Sequence, residues 1–210
     1  RYREMLPKII RWSRGNSEVY KMKQAENKSE KMKYRLAEAM KICMKKMPVE
    51  KITVKEIVQE CETTRQTFYR NFQDKYDLIN WYFDKILLES FEHMGEGETA
   101  YEGLLNKFRY IEKEKLFFRA AFKTDEQNCL RQHDFELILE FYTRQIESRT
   151  GQKLNEKLRF LLEMYCQGSV YMTTQWVLGY RKSTPEKMAE ALIEAMPSEL
   201  TKIFREIKLI

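Results

Sequence analysis

The sequence is short of the residues that interrupt helices, and it lacks a segment that could cross a membrane. It has seven glycines and four prolines in 210 residues, and β-branched residues rarely occur in runs. This composition favours an all-α protein over one built on sheets. The mean hydropathy is −0.65, and no apolar run reaches the roughly 18 residues of a membrane span. No charged-then-apolar signal segment opens the sequence, so we expect a cytoplasmic protein without a membrane partner.

Cysteine and histidine are also scarce, which bears on disulfides and metal sites. Of the two histidines, His133 shares a predicted helical face with Glu136 and Glu140, a pattern more typical of a solvated polar face than of a metal site. No nucleophile with a neighbouring base, metal cluster or phosphate-binding loop is present, so we expect neither an enzyme nor a cofactor. The four cysteines lack a CxxC pair, which favours reduced thiols over disulfides or zinc ligands; they are Cys43, Cys61, Cys129 and Cys166.

Positive charge is concentrated in the first third of the sequence. Residues 1–75 hold 19 Lys and Arg against 10 Asp and Glu, a net charge of +9, whereas residues 76–210 hold 19 against 22, a net charge of −3. This asymmetry favours a polyanionic partner for the N-terminal part alone. The alternative is a lysine-rich surface that only keeps the protein soluble.

Residues 53–80 have the pattern of two short helices, a tight turn between them and the start of a third helix. Thr53 and Glu56 match a capping box, in which each side chain accepts a hydrogen bond from the other residue's backbone amide. An apolar stripe follows, so we predict a helix over about 53–60. The stripe consists of Val54, Ile57 and Val58.

A second N-cap candidate, Thr64, opens a helix whose Phe68 and Phe72 face the core. Four other residues of this helix are left facing outward and suit a major groove: Arg65 for guanine, Gln66 for adenine, Thr67 for a thymine methyl or a phosphate, and Tyr69 for a phosphate. Asp74 is predicted to cap a third helix, whose N-terminus and Lys75 would meet the DNA backbone together. The alternative is a solvated helical hairpin. The predicted DNA-binding residues are Thr53, Lys55, Thr64, Arg65, Gln66, Thr67, Tyr69, Arg70 and Lys75.

Three runs in this stretch resemble the DNA-binding domain of the TetR/AcrR family of bacterial transcriptional regulators. They are TVKEIV at 53–58, TTRQTFYRNF at 63–72 and DKYDLI at 74–79, and their density makes the resemblance more specific than a single short motif. In the family pattern Thr64 opens the recognition helix, and Tyr69 and Lys75 match positions that bind phosphates. A weaker pattern, residues 168–176 followed by STPEKMA at 183–189, resembles the branch that includes regulators of dihydroxyacetone kinase operons.

The resemblance implies an all-α chain with an N-terminal three-helix helix-turn-helix DNA-binding domain and a C-terminal helical domain for ligand binding and dimerisation. It implies a homodimer that binds a pseudo-palindromic double-stranded DNA operator. It further implies a repressor that an unknown small-molecule effector releases from the operator.

The turn before the predicted recognition helix departs from the family pattern, which usually has glycine where this chain has Glu62. A glutamate there must either adopt a strained positive φ or give the turn another shape, and its charge would lie near DNA phosphates. The alternative function is therefore a coactivator of the same fold, which acts through protein–protein contacts and has weak or no operator binding.

We expect three regions: an N-terminal extension of unknown role (1–28), the helix-turn-helix domain (29–76), and the ligand-binding and dimerisation domain (77–210). Large apolar residues of the last region, mostly aromatic, are candidates for a small-molecule pocket, although each would also suit a plain core. These candidates are Phe83, Leu87, Phe108, Phe118, Phe122, Phe141, Tyr142 and Tyr165.

The dimer interface is expected on apolar helices near the C-terminus. Gly168 falls in the middle of one of them and favours a close approach of another helix, since glycine otherwise destabilises a helix interior. The predicted dimerisation residues are Leu162, Ser169, Met172, Trp176, Met188 and Leu192.

Overall fold

The structure is a computed structural model that describes residues 17–91, 94, 99–123 and 129–210, with side chains from Lys28 onward. These described residues form ten α-helices and no β-strand, which confirms the all-α fold. Most of the predicted N-terminal extension lies outside the described part of the chain. The domain boundaries expected from the sequence stay predictions.

Three helices and a short turn build the helix-turn-helix domain. They are α1 (Ser17–Lys46), a 3₁₀ turn (Val49–Lys51), α2 (Val54–Glu60) and α3 (Arg65–Asn71). At 30 residues, α1 is the longest helix in the described part of the chain, and it runs across the boundary expected at residue 28. Helix α1 packs against both α2 and α3.

Local sequence fixes where α2 and α3 begin. The Thr53 backbone amide donates to Glu56 Oε2 at 2.7 Å, and the Glu56 amide donates to Thr53 Oγ1 at 3.4 Å, which confirms the predicted capping box. The Thr67 amide donates to Thr64 Oγ1 at 3.1 Å, which confirms the second cap. Each such cap stabilises a helix by about 1 kcal/mol, which matters for helices of only seven residues because they are too short to be stable alone.

The turn between α2 and α3 adopts the strained form. Glu62 has a φ of 51°, in the left-handed region. This conformation lets the Thr63 amide donate to the Val58 carbonyl at 2.9 Å, which satisfies a carbonyl at the end of α2 in the manner of a glycine-terminated helix. The guanidinium of Arg35 on α1 donates to the Cys61 carbonyl at 2.9 Å and so fixes the turn against α1.

Helix α4 (Lys75–Phe91) takes part in both halves of the chain. Near its start, the Trp81 ring lies edge-on to Tyr34 of α1, with centroids 5.1 Å apart, and 5.6 Å from Phe72. Two residues later, Phe83 contacts Phe118 in the C-terminal half at 5.8 Å. One continuous helix therefore lies in both cores and joins the two halves.

Six helices complete the C-terminal half. Three of them begin at side-chain caps, provided by Thr99, Asn155 and Thr184. None of the helices in the described segments is both long and apolar enough to span a bilayer. The six are α5 (Ala100–Lys113), α6 (Lys115–Lys123), α7 (Leu130–Thr150), α8 (Glu156–Leu178), α9 (Pro185–Glu194) and α10 (Ser198–Glu206).

Lys41 of α1 connects the two halves through polar contacts. Its ammonium donates to Glu114 Oε2 at 3.0 Å, between α5 and α6, and to the Tyr82 hydroxyl on α4 at 3.3 Å. Glu38 lies 2.6 Å away on α1 itself. Burial alone would lower the pKa of Lys41, but the hydrogen bonds to Glu38 and Glu114 outweigh it and raise that pKa. The contact therefore keeps its charge at physiological pH.

We predict that Glu62→Gly raises the free energy of unfolding by about 0.5–1 kcal/mol, because it removes the left-handed strain of a residue with a Cβ. Glu62→Gln is the matched control, since it removes the charge but leaves the strained φ. Urea unfolding of both variants measures the effect. Equal stability of the two variants would contradict a backbone origin.

We also predict that a double-mutant cycle of Lys41→Met and Glu114→Gln gives a coupling energy of about 1 kcal/mol, since the pair is partly buried and charged. The control is the Lys46–Glu60 pair within the helix-turn-helix domain, whose Lys46 side chain is 58% exposed. That pair should couple by less than about 0.5 kcal/mol because solvent screens it. Similar values from the two unfolding cycles would rule out a special link between the halves.

Candidate nucleic-acid interface

The outer face of α3 carries the side chains predicted to contact DNA. Arg65, Gln66, Tyr69 and Arg70 are exposed, whereas Phe68 on the opposite face is fully buried. Tyr69 is 59% exposed and its ring rests edge-on against Phe68, with centroids 5.5 Å apart. No other described residue forms a hydrogen bond or ion pair with the side chain of Arg65 or Gln66. The donors that suit guanine and adenine are therefore available to a partner.

The threonines of the predicted DNA-binding set have local structural roles. Thr53 Oγ1 and Thr64 Oγ1 act as the caps of α2 and α3. Thr67 is half-buried, with its hydroxyl 3.0 Å from that of Thr64. Lys55, in the first turn of α2, is exposed. The set thus contains five exposed side chains with free tips, on α2 and α3, two hydroxyls that cap the helices, and a third, of Thr67, that pairs with the Thr64 cap.

The start of α4 differs from the expectation that its amides and Lys75 meet the DNA backbone together. Asp74 Oδ1 accepts hydrogen bonds from the amides of Tyr76 at 2.8 Å and Asp77 at 2.9 Å. This confirms Asp74 as the cap, but it also occupies the amides that an anion would need. The Lys75 ammonium, in turn, points to backbone carbonyls of the 3₁₀ turn. Both groups form internal contacts in this structure.

The predicted ligand-binding residues lie in the core of the C-terminal half, where all except Phe141 are buried. Phe83 contacts Phe118 at 5.8 Å and Phe122 at 6.4 Å between ring centroids. Phe141 and Tyr142 form a second group, 5.4 Å apart. These contacts are those of a packed core, and ligand binding by these side chains stays a prediction.

The other members of that set face different neighbours. Phe108 packs edge-on against Trp176, with centroids 5.5 Å apart. Tyr165 donates its hydroxyl hydrogen to the Leu192 carbonyl at 2.9 Å, and burial raises its pKa. Leu87 is buried on α4. The set is therefore spread over several parts of one core.

Two buried ionic pairs in this core were missed by the sequence reasoning. His133 Nε2 pairs with Asp84 on α4, and Lys107 on α5 pairs with Asp134 Oδ1 on α7 at 3.3 Å. Lys107 is 1% and Asp134 0% exposed. The expectation that His133 lies on a solvated face is wrong, since it is 9% exposed. The sequence did contain a signal for these pairs. Asp84 and Lys107 lie among apolar helix positions, and a charged side chain that is buried there needs a buried partner.

Burial and pairing act in opposite directions on these groups. Burial raises the pKa of Asp84 and of Asp134, against the effect of their cationic partners. For His133, burial alone would lower the pKa, but the hydrogen bond that its ring donates to Asp84 and the charge of that carboxylate outweigh this, so the pKa of His133 is raised. The described residues contain no group of three or more His, Cys, Asp or Glu side chains that could hold a metal ion. The ionic pairs therefore connect α4 to α7 and α5 to α7.

The predicted dimerisation residues mostly point into the chain's own core. Leu162 is 0%, Trp176 2% and Met188 2% exposed, and Ser169 and Leu192 are also buried. The Trp176 indole N–H donates to the Ser183 carbonyl at 3.0 Å. Of this set, Met172 alone is half-buried. Their dimerisation role is a prediction that their burial does not favour, because a helix turns only one face toward its own core.

The opposite face of α8 exposes large apolar side chains. Phe160 is 62%, Met164 60% and Tyr171 59% exposed, at spacings of four and seven residues that place them on one face. Gly168 lies on the same stripe, and a Cβ there would meet nothing within 4 Å. The close approach expected at Gly168 is therefore absent within the described part of one chain. We call these four residues the α8 stripe.

Comparisons with known proteins agree with this architecture. The family described as "Bacterial regulatory proteins, tetR family" matches residues 38–81, and the one described as "Transcriptional regulator C-terminal region" matches residues 98–198. The HTH-type dhaKLM operon transcriptional activator DhaS of Lactococcus lactis subsp. lactis (strain IL1403) is 29% identical over 91 residues, which are 43% of this chain and 49% of that protein. The match thus spans about half the length of this curated relative.

Two solved structures share the fold. The dihydroxyacetone kinase operon activator DhaS superposes with a TM-score of 0.58 at 19% identity, covering 85% of this chain and 97% of that one. NalD of Pseudomonas aeruginosa, the secondary repressor of the MexAB-OprM multidrug efflux pump, gives 0.53 at 17% identity, covering 80% and 95%. The matched families are regulators and not enzymes. With both of its halves matched and its helix-turn-helix in place, the chain belongs to the TetR family of bacterial transcriptional regulators.

Proposed function

We propose that this regulator works in the cytoplasm as a homodimer, binds a pseudo-palindromic operator, and represses transcription until a small-molecule effector releases it. The observation that carries the operator-binding part is the exposed α3 face, where Arg65 and Gln66 project away from a buried Phe68. Arg and Gln give the bidentate contacts that distinguish guanine and adenine. The net charge of +9 over residues 1–75 favours the same partner.

The proposed second copy covers the α8 stripe. Three large apolar side chains that are each about 60% exposed on a single helix face are typical of an interaction site. TetR-type regulators typically dimerise, so another copy of the same helix is the occupant that we favour. Gly168 would let the two helices approach closely at the centre of a self-complementary contact. Operator binding by such a two-fold dimer requires the two α3 helices to lie about 34 Å apart, one DNA turn.

The proposed effector acts on the C-terminal core, and α4 carries the signal. A ligand that separates aromatic side chains around Phe83 would press on α4, which also packs in the helix-turn-helix domain through Trp81. A change in α4 tilt alters the spacing of the two α3 helices. A coupling of about 1–3 kcal/mol is enough to change operator occupancy several-fold or more. Of the relatives, DhaS is named an activator and NalD a repressor.

The second candidate is a coactivator that contacts another protein and binds DNA weakly or not at all. It is favoured by the exposed carboxylate of Glu62 beside α3, which would repel phosphates, and by the internal contacts of Asp74 and Lys75. Binding to a duplex selected from a randomised library separates the two functions. A coactivator would show no enrichment and no salt-dependent binding.

We predict that wild-type affinity for the selected duplex falls steeply with salt, with a log–log slope of about −0.9 for each phosphate neutralised. Arg65→Ala should weaken binding by about 1–3 kcal/mol and relax the preference for one base pair. Arg119→Ala, an exposed arginine on α6, is the control and should leave both properties unchanged. Fluorescence anisotropy across a salt series measures them. A flat wild-type slope would remove the DNA-binding proposal.

We further predict that Met164→Glu converts the dimer to a monomer, because it places a charge in the centre of the α8 stripe. Leu116→Glu is the matched control, since Leu116 is 69% exposed but lies on α6; it should leave the dimer intact. Sedimentation equilibrium of both variants gives the mass. A dimeric Met164→Glu variant would show that the interface lies elsewhere. A monomeric wild type would contradict the proposed dimer.

A further inference from the structure

Lys75 is the residue of the predicted DNA-binding set whose surroundings differ most from that role. Its ammonium donates to the carbonyls of Val49 at 2.7 Å, Glu50 at 3.0 Å and Ile52 at 2.8 Å. A lysine ammonium has three N–H donors, so every donor is used by backbone within the helix-turn-helix domain. A phosphate could bind this ammonium only by displacing one of the carbonyls.

The three carbonyls belong to the segment that leads the chain into α2. The 3₁₀ turn Val49–Lys51 ends at Ile52, and Thr53 follows at once as the N-cap of α2. Val49 and Ile52 are each 1% exposed and hold this segment in the core by their side chains. The Val49 carbonyl already accepts from the Ile52 amide at 3.1 Å. Lys75 gives that carbonyl a second donor and donates to the carbonyl of Ile52 as well.

Lys75 is also the first residue of α4. Its contacts therefore connect the start of α4 to the entrance of α2, across 23 to 26 residues of sequence. Burial lowers the pKa of Lys75, while Glu50, Asp74 and Glu56 nearby oppose that shift. These acidic neighbours help to retain the ammonium in place, and they would disfavour a phosphate beside it.

We infer that Lys75 is a positioning residue, which fixes the entrance of α2 to the start of α4 through the backbone of residues 49–52 and does not itself bind a DNA phosphate. This inference rests on the proposed operator binding and gives Lys75 a different task within it. Through this contact the α2–α3 unit follows any movement of α4. The recognition helix is thereby coupled to the helix that enters the C-terminal core.

The test compares Lys75→Met and Lys75→Arg with Lys55→Met, all in the 210-residue chain. The probes are the selected duplex and a scrambled duplex of the same length, each across a salt series. Lys75→Met should lower affinity for the selected duplex by roughly tenfold, with the wild-type salt slope retained because no phosphate contact is lost. Lys55→Met, which removes an exposed cation at α2, should instead reduce the slope by about one unit.

Lys75→Arg distinguishes a positioning role from phosphate binding, because the cationic group keeps its charge but changes its shape. A planar guanidinium binds phosphate at least as well as an ammonium does, but it cannot direct three donors from one nitrogen to three converging carbonyls. A positioning role therefore predicts that Arg fails to restore affinity. Hydrogen exchange provides a readout without DNA: the amides of residues 51–57 should exchange faster in both Lys75 variants than in wild type and in Lys55→Met.

The outcomes are distinguishable from failure of operator binding. A salt slope reduced by about one unit in Lys75→Met, or full affinity in Lys75→Arg, would overturn the positioning role. A flat slope in wild type would remove the proposed function, and the hydrogen-exchange comparison would then still decide whether Lys75 fixes the entrance of α2. Unchanged exchange at residues 51–57 would overturn it in either case.

Discussion

The structure depends on α4 (Lys75–Phe91), which is buried on its core-facing positions from Leu78 to Phe91. Its first half completes the helix-turn-helix core through Leu78 and Trp81, and its second half enters the C-terminal core through Phe83 and Leu87. Apolar burial stabilises by about 25 cal/mol per Å², so separating either half from α4 is strongly unfavourable. The two halves are therefore not independent domains joined by a flexible linker. A structural change that a ligand causes in one core can reach the other core through α4.

The helix-turn-helix domain divides its polar groups between holding the fold and facing outward. Thr53, Thr64 and Asp74 cap the N-termini of helices, and Lys75 binds the backbone of the segment that leads into α2. Arg65 and Gln66 project from a helix whose ends are already satisfied. A short recognition helix can present side chains accurately only because its termini and its buried Phe68 leave it little freedom, since order in the free protein lowers the entropic cost of binding.

The C-terminal core combines aromatic packing with two ionic pairs. Asp84 with His133, and Lys107 with Asp134, join α4, α5 and α7. Removing one partner of a buried pair leaves an uncompensated charge, whereas the intact pair adds little net stability. Such pairs specify how helices align more than how tightly they pack. They suit the proposed function, in which effector binding changes the alignment of α4.

The sequence by itself determined the features that depend on neighbours a few residues apart. Its caps at Thr53 and Thr64 and the outward face of α3 follow from local spacing, because a helix brings together residues three and four apart. The positive φ of Glu62 was one of two forms that the sequence allowed, and the structure decided between them. The all-α class followed from composition. The family followed from motifs within about 30 residues.

Only the tertiary structure decided which helix face is buried and which distant groups meet. Periodicity places Leu162 and Trp176 on one face of α8 and Phe160 and Met164 on another, but both faces are apolar, so the pattern alone cannot say which one packs inward. The partner of His133 is 49 residues away in sequence, and that of Lys75 as many as 26. A sequence shows which side chains can donate hydrogen bonds. Packing between distant elements decides which acceptor each donor meets, and no local pattern encodes that packing.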